Sequence, residues 1–351
     1  MRRWIPRFVL GVVLLIGVAL FMFGRESVQP ARTTSGAQID AQLVKLWKPH
    51  SSPLRGLAFS ADGAALISAA ADGKILVSAL DGPVMRSIES PEGVASLARS
   101  PDGATLATGG YDGRIRLWRF GDGSAIRTLG EARGPAWTVA FSPDSRTLAS
   151  AGEERAVRVW DVESGALRHR LTGHTLNIWT LGFSPDGTRL ASGSFDRSIK
   201  LWDPASGRLV RDLAGHGQAV VGLRWSPDGR LASGGDDSMI RMWDQEGTLL
   251  REFAAGHHVH AIAFTPDSRW MAVGGAESAG INMLSRQIFG ARIGGGNGVT
   301  VRLWRVADGA MVAALNPFSS EVSPIAVSPD GQWLAAGADT GEVALWKLTP
   351  R

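Results

Sequence analysis

GHTLNIWTLGFSPDGTRLASGSFDRSIKLWD, residues Gly173 to Asp203, decides how the chain folds. Apolar and polar residues alternate in three short runs, Ile178 to Phe183, Leu190 to Ser194 and Ile199 to Trp202. A period of two is the mark of a strand. Between the first two runs lies SPDG, in which Pro presets φ for a tight turn and Gly closes it. The stretch therefore predicts three antiparallel strands. So small a sheet with two apolar faces is unstable alone in water, and it requires copies of itself stacked against it.

The copies are present. The turn recurs at Ser60, Ser100, Ser142, Ser184, Ser226, Thr265 and Ser328, seven starts spaced 40, 42, 42, 42, 39 and 63 residues apart. The third strand recurs with it, as IRLW ending at Trp118, VRVW at Trp160, IKLW at Trp202, IRMW at Trp243, VRLW at Trp304 and VALW at Trp346. The first copy ends ILVS at Ser78 and lacks its Trp. A period near 40 that opens on Gly-His and closes on Trp-Asp resembles the WD40 family in its membrane-anchored, bacterial-type form. That resemblance implies an all-β, seven-bladed β-propeller. It covers nearly everything after residue 41.

Ring closure follows from the flanks of the repeats. Gln42 to His50, QLVKLWKPH, aligns with Arg208 to His216, RLVRDLAGH, a fourth strand followed by its Gly-His loop. The last repeat stops after its third strand, at Lys347 or Leu348. The strand at 42–48 is therefore expected to complete the seventh blade and remove its unpaired edge, giving a monomeric propeller over 42–349.

Composition excludes several function classes. The net charge is +4, but residues 1 to 40 hold Arg2, Arg3, Arg7, Arg25 and Arg32 against Glu26 and Asp40, which leaves +1 for the propeller. So neutral a domain has no strong pull on phosphate, and nucleic acid is not an expected partner. The absence of cysteine excludes disulfides, thiol catalysis, Cys acylation and cysteine-ligated zinc. No HExxH, GxSxG elbow or Walker loop occurs. No cofactor and no catalytic residue is expected.

Ahead of the repeats, a basic segment (1–7) precedes an apolar run of sixteen residues, Phe8 to Phe23, and a polar linker (24–41) rich in Ser, Thr, Gln and Ala. The run ends on Leu20-Phe21-Met22-Phe23, too bulky for signal peptidase, so it reads as an uncleaved anchor helix. Positive charge before the span places the propeller on the extracytoplasmic, periplasmic side.

The resemblance also implies which polar residues are scaffold. In the family a loop His, a second-strand Ser or Thr, a turn Asp and the third-strand Trp form a hydrogen-bonded chain across a blade. Two copies match in full: His174, Ser192, Asp196 and Trp202, and His216, Ser233, Asp237 and Trp243. Repetition argues against reading His, Asp and Ser as a catalytic triad. Other copies depart. The first has His50, Ser68 and Asp72 but Ser78 for Trp, and the second has Thr108, Asp112 and Trp118 without the His. The third has Glu154 for Asp, and the seventh has Asp339 in a turn one residue longer. These blades are expected to be softer, since an unsatisfied partner costs about 1–3 kcal/mol.

Function is sought where the copies differ. The residue four before the end of each first strand is Arg55, Ala95, Trp137, Trp179, Val221, His260 or Ser323. In proteins of this fold that position lies on the top rim and commonly touches partners. The residue before the turn acid lies near it: Ala71, Tyr111, Glu153, Phe195 and Asp236. Aromatics thus gather on blades two to four as Tyr111, Trp137, Trp179 and Phe195, and either they form an exposed binding patch or the Trp pair packs between blades. With Arg55 and His260 they are the expected partner-binding residues.

Two irregularities remain. The sixth copy carries an insertion, 276–298, whose Met283, Leu284, Ile288 and Phe289 have helical spacing beside Arg286 and Arg292, the pattern of a short lid or a plain surface loop. Its GGGNG opens no helix and is not a phosphate loop. In Gly256-His257-His258-Val259-His260, His258 and His260 share a strand face, but no further ligand is near in sequence and no metal is expected. Two functions remain in play: a non-catalytic protein-interaction scaffold at the membrane, or a ligand or metal sensor or hydrolase using the central channel through His258, His260, Asp236 and Glu153.

Overall fold

The structure, a computed structural model, describes residues 38–131, 133–276 and 301–351. The basic segment, the apolar run, most of the linker and the insertion in the sixth copy lie outside the described residues. Among those described, no helix is long and apolar enough to cross a membrane.

Ile39–Arg351 forms one unit of seven four-stranded antiparallel sheets. Blade 1 is β2 (Leu54–Phe59), β3 (Ala65–Ala70), β4 (Lys74–Ala79) and β5 (Val84–Glu89), and blade 2 is β6 (Val94–Arg99), β7 (Thr105–Gly110), β8 (Arg114–Arg119) and β9 (Ala125–Glu131). Blade 3 is β10 (Thr138–Phe141), β11 (Thr147–Ala151), β12 (Ala156–Asp161) and β13 (Leu167–Thr172). Blade 4 is β14 (Ile178–Phe183), β15 (Leu190–Ser194), β16 (Ile199–Asp203) and β17 (Arg208–Leu213). Blade 5 is β18 (Val220–Trp225), β19 (Leu231–Gly235), β20 (Met239–Trp243) and β21 (Leu249–Ala254). Blade 6 is β22 (His258–Phe264), β23 (Trp270–Ala276), β24 (Val301–Arg305) and β25 (Ala310–Leu315).

Blade 7 is β26 (Val322–Val327), β27 (Trp333–Ala338) and β28 (Val343–Pro350), with β1 (Ile39–Trp47) as its outer strand. β1 runs antiparallel to β28 from the Ile39–Pro350 pair to the Trp47–Val343 pair. The strand therefore starts three residues before the expected 42 and takes in the end of the expected linker. Ile39 and Leu348 are buried against Trp270 and Val301 of blade 6, an apolar contact that holds these residues in the strand.

The core lies between blades. Ala149 and Val157 of blade 3 pack with Ile178, Leu190 and Trp202 of blade 4, and the ring closes where Leu54 and Phe59 of blade 1 meet Ala335 and Leu345 of blade 7. Each second strand is buried on both faces, whereas the fourth strands form the outer wall and expose Leu43 and Val44 just as β17 exposes Leu209 and Val210. In the SPDG turn Ser184 Oγ donates to Asp186, and Gly187 closes the turn at φ +73°. Ser145 and Ser268 occupy that left-handed position in blades 3 and 6, and each hydroxyl accepts a neighbouring blade's N–H, from Asp102 and Asp228, at 3.1 Å.

Deleting 39–47 leaves β28 as an open edge and uncovers the blade 6–7 core. The thermal midpoint is expected to fall by at least about 5 °C. An unchanged melting curve would show that closure by β1 does not stabilise the ring.

Candidate functional site

The two full polar chains are rigid struts under the top face. Trp202 Nε1–H donates to Ser192 Oγ (2.9 Å), Ser192 Oγ lies 2.8 Å from His174 Nε2, and His174 Nδ1 lies 2.9 Å from Asp196. Trp243, Ser233, His216 and Asp237 repeat this at 2.9, 2.8 and 3.0 Å. Burial opposes ionisation of Asp196 and Asp237, but hydrogen bonds from their His partners and from backbone N–H groups outweigh it and hold both carboxyls well below the usual range. In blade 1, burial pushes His50 below its ordinary value, so a neutral ring links Ser68 (2.9 Å) to Asp72 (3.1 Å) although no Trp completes the chain.

The blades without a loop His are not left with bare acids. Arg116 pairs with Asp112 in blade 2, and Arg158 and Arg170 pair with Glu154 in blade 3, while Trp118 and Trp160 keep their 2.9 Å bonds to Thr108 and Ser150. Of the strut positions, it is those of blade 6 that hold buried polar atoms without a partner. There Val273 stands where Ser192 stands in blade 4, and Trp304 Nε1 and His257 Nε2 are buried without a hydrogen-bond partner among the described residues. Burial pushes His257 down to about 4, so its ring is neutral. In blade 7 the histidine and serine positions of the strut are apolar, with Ala336 where Ser192 stands and Phe318 edge-on to Trp346 as His174 is to Trp202. Its turn is not lengthened: Gly341 N–H closes onto Ala338 O as Gly73 closes onto Ala70 O. Asp339 therefore matches Ala71 and Tyr111 on the rim, and Thr340 takes the acid position.

Five of the rim residues are placed by single-residue bulges, while Trp137 lies just ahead of its first strand. The β2, β6, β14, β18 and β22 registers slip at Arg55, Ala95, Trp179, Val221 and His260, one unpaired residue each. A bulge re-aims the extra side chain, here toward the mouth of the channel. Where that residue is small or buried, as Ala95 and Val221 are, the turn residue Tyr111 or Asp236 fills the place. The aromatics form one row. Tyr111 meets Trp137 edge-on at 5.6 Å, Trp137 stacks on Trp179 at 4.9 Å and 27°, and Trp179 meets Phe195 at 5.5 Å. All four are half-buried, so they pack on one another across blades while presenting a surface. Arg55 extends the row, its Nε donating to Tyr111 Oη at 3.1 Å and its Nη1 to Asp339 at 3.3 Å.

The other half of the rim is charged. His260 Nε2 is 3.3 Å from Asp236, its Nδ1 is bonded to Glu321, and His258 Nδ1 is 3.8 Å from Asp236. Burial opposes a charge on His260, yet Asp236 and Glu321 outweigh it and push its pKa up to about 9. The structure thus brings together His258, His260 and Asp236 and leaves out the exposed Glu153. Glu321 is not legible in the sequence because it stands just before its strand, where the other blades have Pro53, Asn177 or Ala219, a position outside the two rim positions that spacing singles out. Toward the opposite end, the channel holds a cavity of about 580 Å³ walled by first-strand residues such as Leu57, Phe183 and Val327. Its lining includes Arg99 and Arg224 but no acid and no histidine.

The model of the family described as WD domain, G-beta repeat matches residues 41–77, 82–119, 123–161, 165–203, 207–244, 247–279 and 318–347. No curated protein matches the chain.

Two outcomes test the struts. V273T keeps the side-chain shape and offers Trp304 and His257 a hydroxyl. Urea denaturation should find it neutral or stabilising by up to about 1 kcal/mol, whereas V159T, which buries a hydroxyl in the blade 3–4 core, should cost about 1–3 kcal/mol. Because Asp196 and Asp237 titrate lower when folded, the stability they add is complete above the ordinary carboxyl value of 3.8 and is lost as pH falls through the folded value. The D196N/D237N double variant should therefore be less stable at neutral pH, with a flatter stability profile between about pH 4 and pH 2.

Proposed function

The chain belongs to the WD40 family, and from that premise we propose that it is a non-catalytic protein-interaction scaffold held at the membrane by residues 8–23. Propellers of this family typically serve as interaction scaffolds. The observation that carries the reading here is the continuous aromatic row Tyr111, Trp137, Trp179 and Phe195 at one side of the channel mouth. Large, rigid aromatic faces held by their neighbours lose little entropy on contact and are the usual anchors of protein interfaces. Arg55 stands beside them, with planar donors suited to a partner's carbonyl or carboxylate. His260 lies on the charged half of the same rim and gives a partner a polar edge to register against.

Catalysis in the channel is the weaker reading, because among the described residues the cavity wall carries no acid and no histidine to act as general base, and its two serines, Ser184 and Ser226, are bonded into their own turns through Asp186 and Asp228. The localisation we propose is extracytoplasmic, periplasmic in a bacterial cell. It rests on Arg2, Arg3 and Arg7 ahead of the apolar run and on the bulky residues that end it.

The test is capture of partners by detergent-solubilised protein. W137A and W179A should each weaken recovery of a partner held by the wild type, and the double variant should lose about 2 kcal/mol or more, at least about 30-fold, while still folding and melting cooperatively. Equal recovery by wild type and double variant would sink the rim reading. Protease added to spheroplasts should digest the propeller, and protection there would refute the topology.

A further inference from the structure

We infer that Asp236, His258 and His260 form a binding site for one divalent transition-metal ion, zinc first, on the charged half of the rim. One ligand atom from each of the three residues lies within 4.8 Å of the other two. In a tetrahedral site with metal–ligand bonds of about 2.0–2.1 Å, neighbouring donors are about 3.3 Å apart. His260 Nε2 and Asp236 Oδ1 already stand at 3.3 Å, and His258 Nδ1 and the same oxygen at 3.8 Å. The third pair, His258 and His260, lies within 4.8 Å, so the ion would have to draw the half-buried His258 ring inward.

Three features make this more than a chance meeting. First, the donors are placed by backbone. The bulge at His260 sends its ring toward His258, two residues before it on β22, and Asp236 arrives from the β19–β20 turn of blade 5. Second, the other nitrogen of His260 is engaged by the carboxylate of Glu321, supplied by blade 7. Metal-bound imidazoles are oriented by such a carboxylate, which fixes the proton on Nδ1 and leaves the Nε2 lone pair for the metal. A proton or a metal ion can hold the place between Nε2 and Asp236, and the metal takes it by displacing the proton. Third, two imidazoles and one carboxylate suit zinc and its neighbours rather than calcium or magnesium, which take all-oxygen sets. All three residues keep partial exposure, so the fourth coordination position opens to solvent at the channel mouth.

The site joins blades 5, 6 and 7, whereas the aromatic row that carries the partner reading lies on blades 2 to 4; the two share only His260, and because zinc uptake is read with H258A and D236N and partner capture with W137A and W179A, either can fail without the other.

The experiment titrates tag-free, EDTA-treated full-length protein with ZnCl₂ by calorimetry, and follows the melting point with and without zinc. Wild type should bind one zinc per chain and melt higher with zinc. H258A and D236N should lose both effects. E321Q should keep one zinc at about 10- to 100-fold weaker affinity. Because H258A alters a partly exposed side chain, its melting point in EDTA should match wild type, which separates loss of the site from loss of the fold. Cobalt(II) gives a second readout: wild type should develop the intense visible absorption of a four-coordinate site, and H258A should not. No zinc uptake by wild type would overturn the site and leave His260 as an ion-pair clamp. Uptake undiminished in both H258A and D236N would overturn it equally, by placing the metal elsewhere.

Discussion

A four-stranded sheet whose two faces are both apolar cannot bury them by itself, and every other feature of this chain follows from that constraint. The clusters around Trp202, Trp243 and Leu54 are each built half from one blade and half from the next. Stability is therefore a property of neighbours, and a linear stack would leave two bare faces. Closing the stack into a ring removes both, and pairing β1 with β28 ties together segments some 300 residues apart in sequence.

Burying tryptophan at the end of six of the seven third strands then raises a second requirement, a partner for the indole N–H. Blades 4 and 5 meet it with Ser, His and Asp, and blades 2 and 3 with Thr or Ser at the indole and an Arg–carboxylate pair at the surface. The alternatives are not equivalent. A buried imidazole couples indole to turn in one continuous chain, whereas the Arg pairs are partly wet and contribute less to order. Blade 6 meets the requirement in neither way among its described residues, and it is the same blade that carries the insertion.

Much of this was legible in the sequence, because it depends on local spacing. The period, the turn and the His-Ser-Asp-Trp sets are short-range patterns repeated until chance is excluded, and closure by an outer strand followed from counting strands. What local spacing hides is the identity of a neighbour across the ring. Glu321 and His260 are 61 residues apart and Asp236 and His260 are 24, and only the radial order of blades brings them together. Asp339 was misplaced for a related reason. In Ala-Asp-Thr-Gly, either Asp339 or the residue after it could answer to the turn acid, and the closing bond to Ala338 decides it. The outer strand was read late by three residues because Ile39, Asp40 and Ala41 show no repeat signature, and the burial of Ile39 against blade 6 extends the pairing.

The rim can diversify because the scaffold does not depend on it. Blades 1, 2, 4 and 5 each offer one bulged residue and one turn residue to the channel mouth, blade 6 offers the bulged His260, and none of these is a ladder partner or a member of a full His-Ser-Asp-Trp strut. A bulged residue has given up its cross-strand pairing, so its side chain is chosen by what lies on the rim rather than by the sheet. Selection at these sites can thus run to aromatics in one arc, where Trp137 and Trp179 support each other, and to histidines and acids in the other, where His260 draws on two adjoining blades. Arg55 is the joint between the arcs, bonded to Tyr111 on one side and to Asp339 on the other. A ligand or partner that moved Arg55 would reach both arcs at once, and no other rim side chain among those described bridges them in this way.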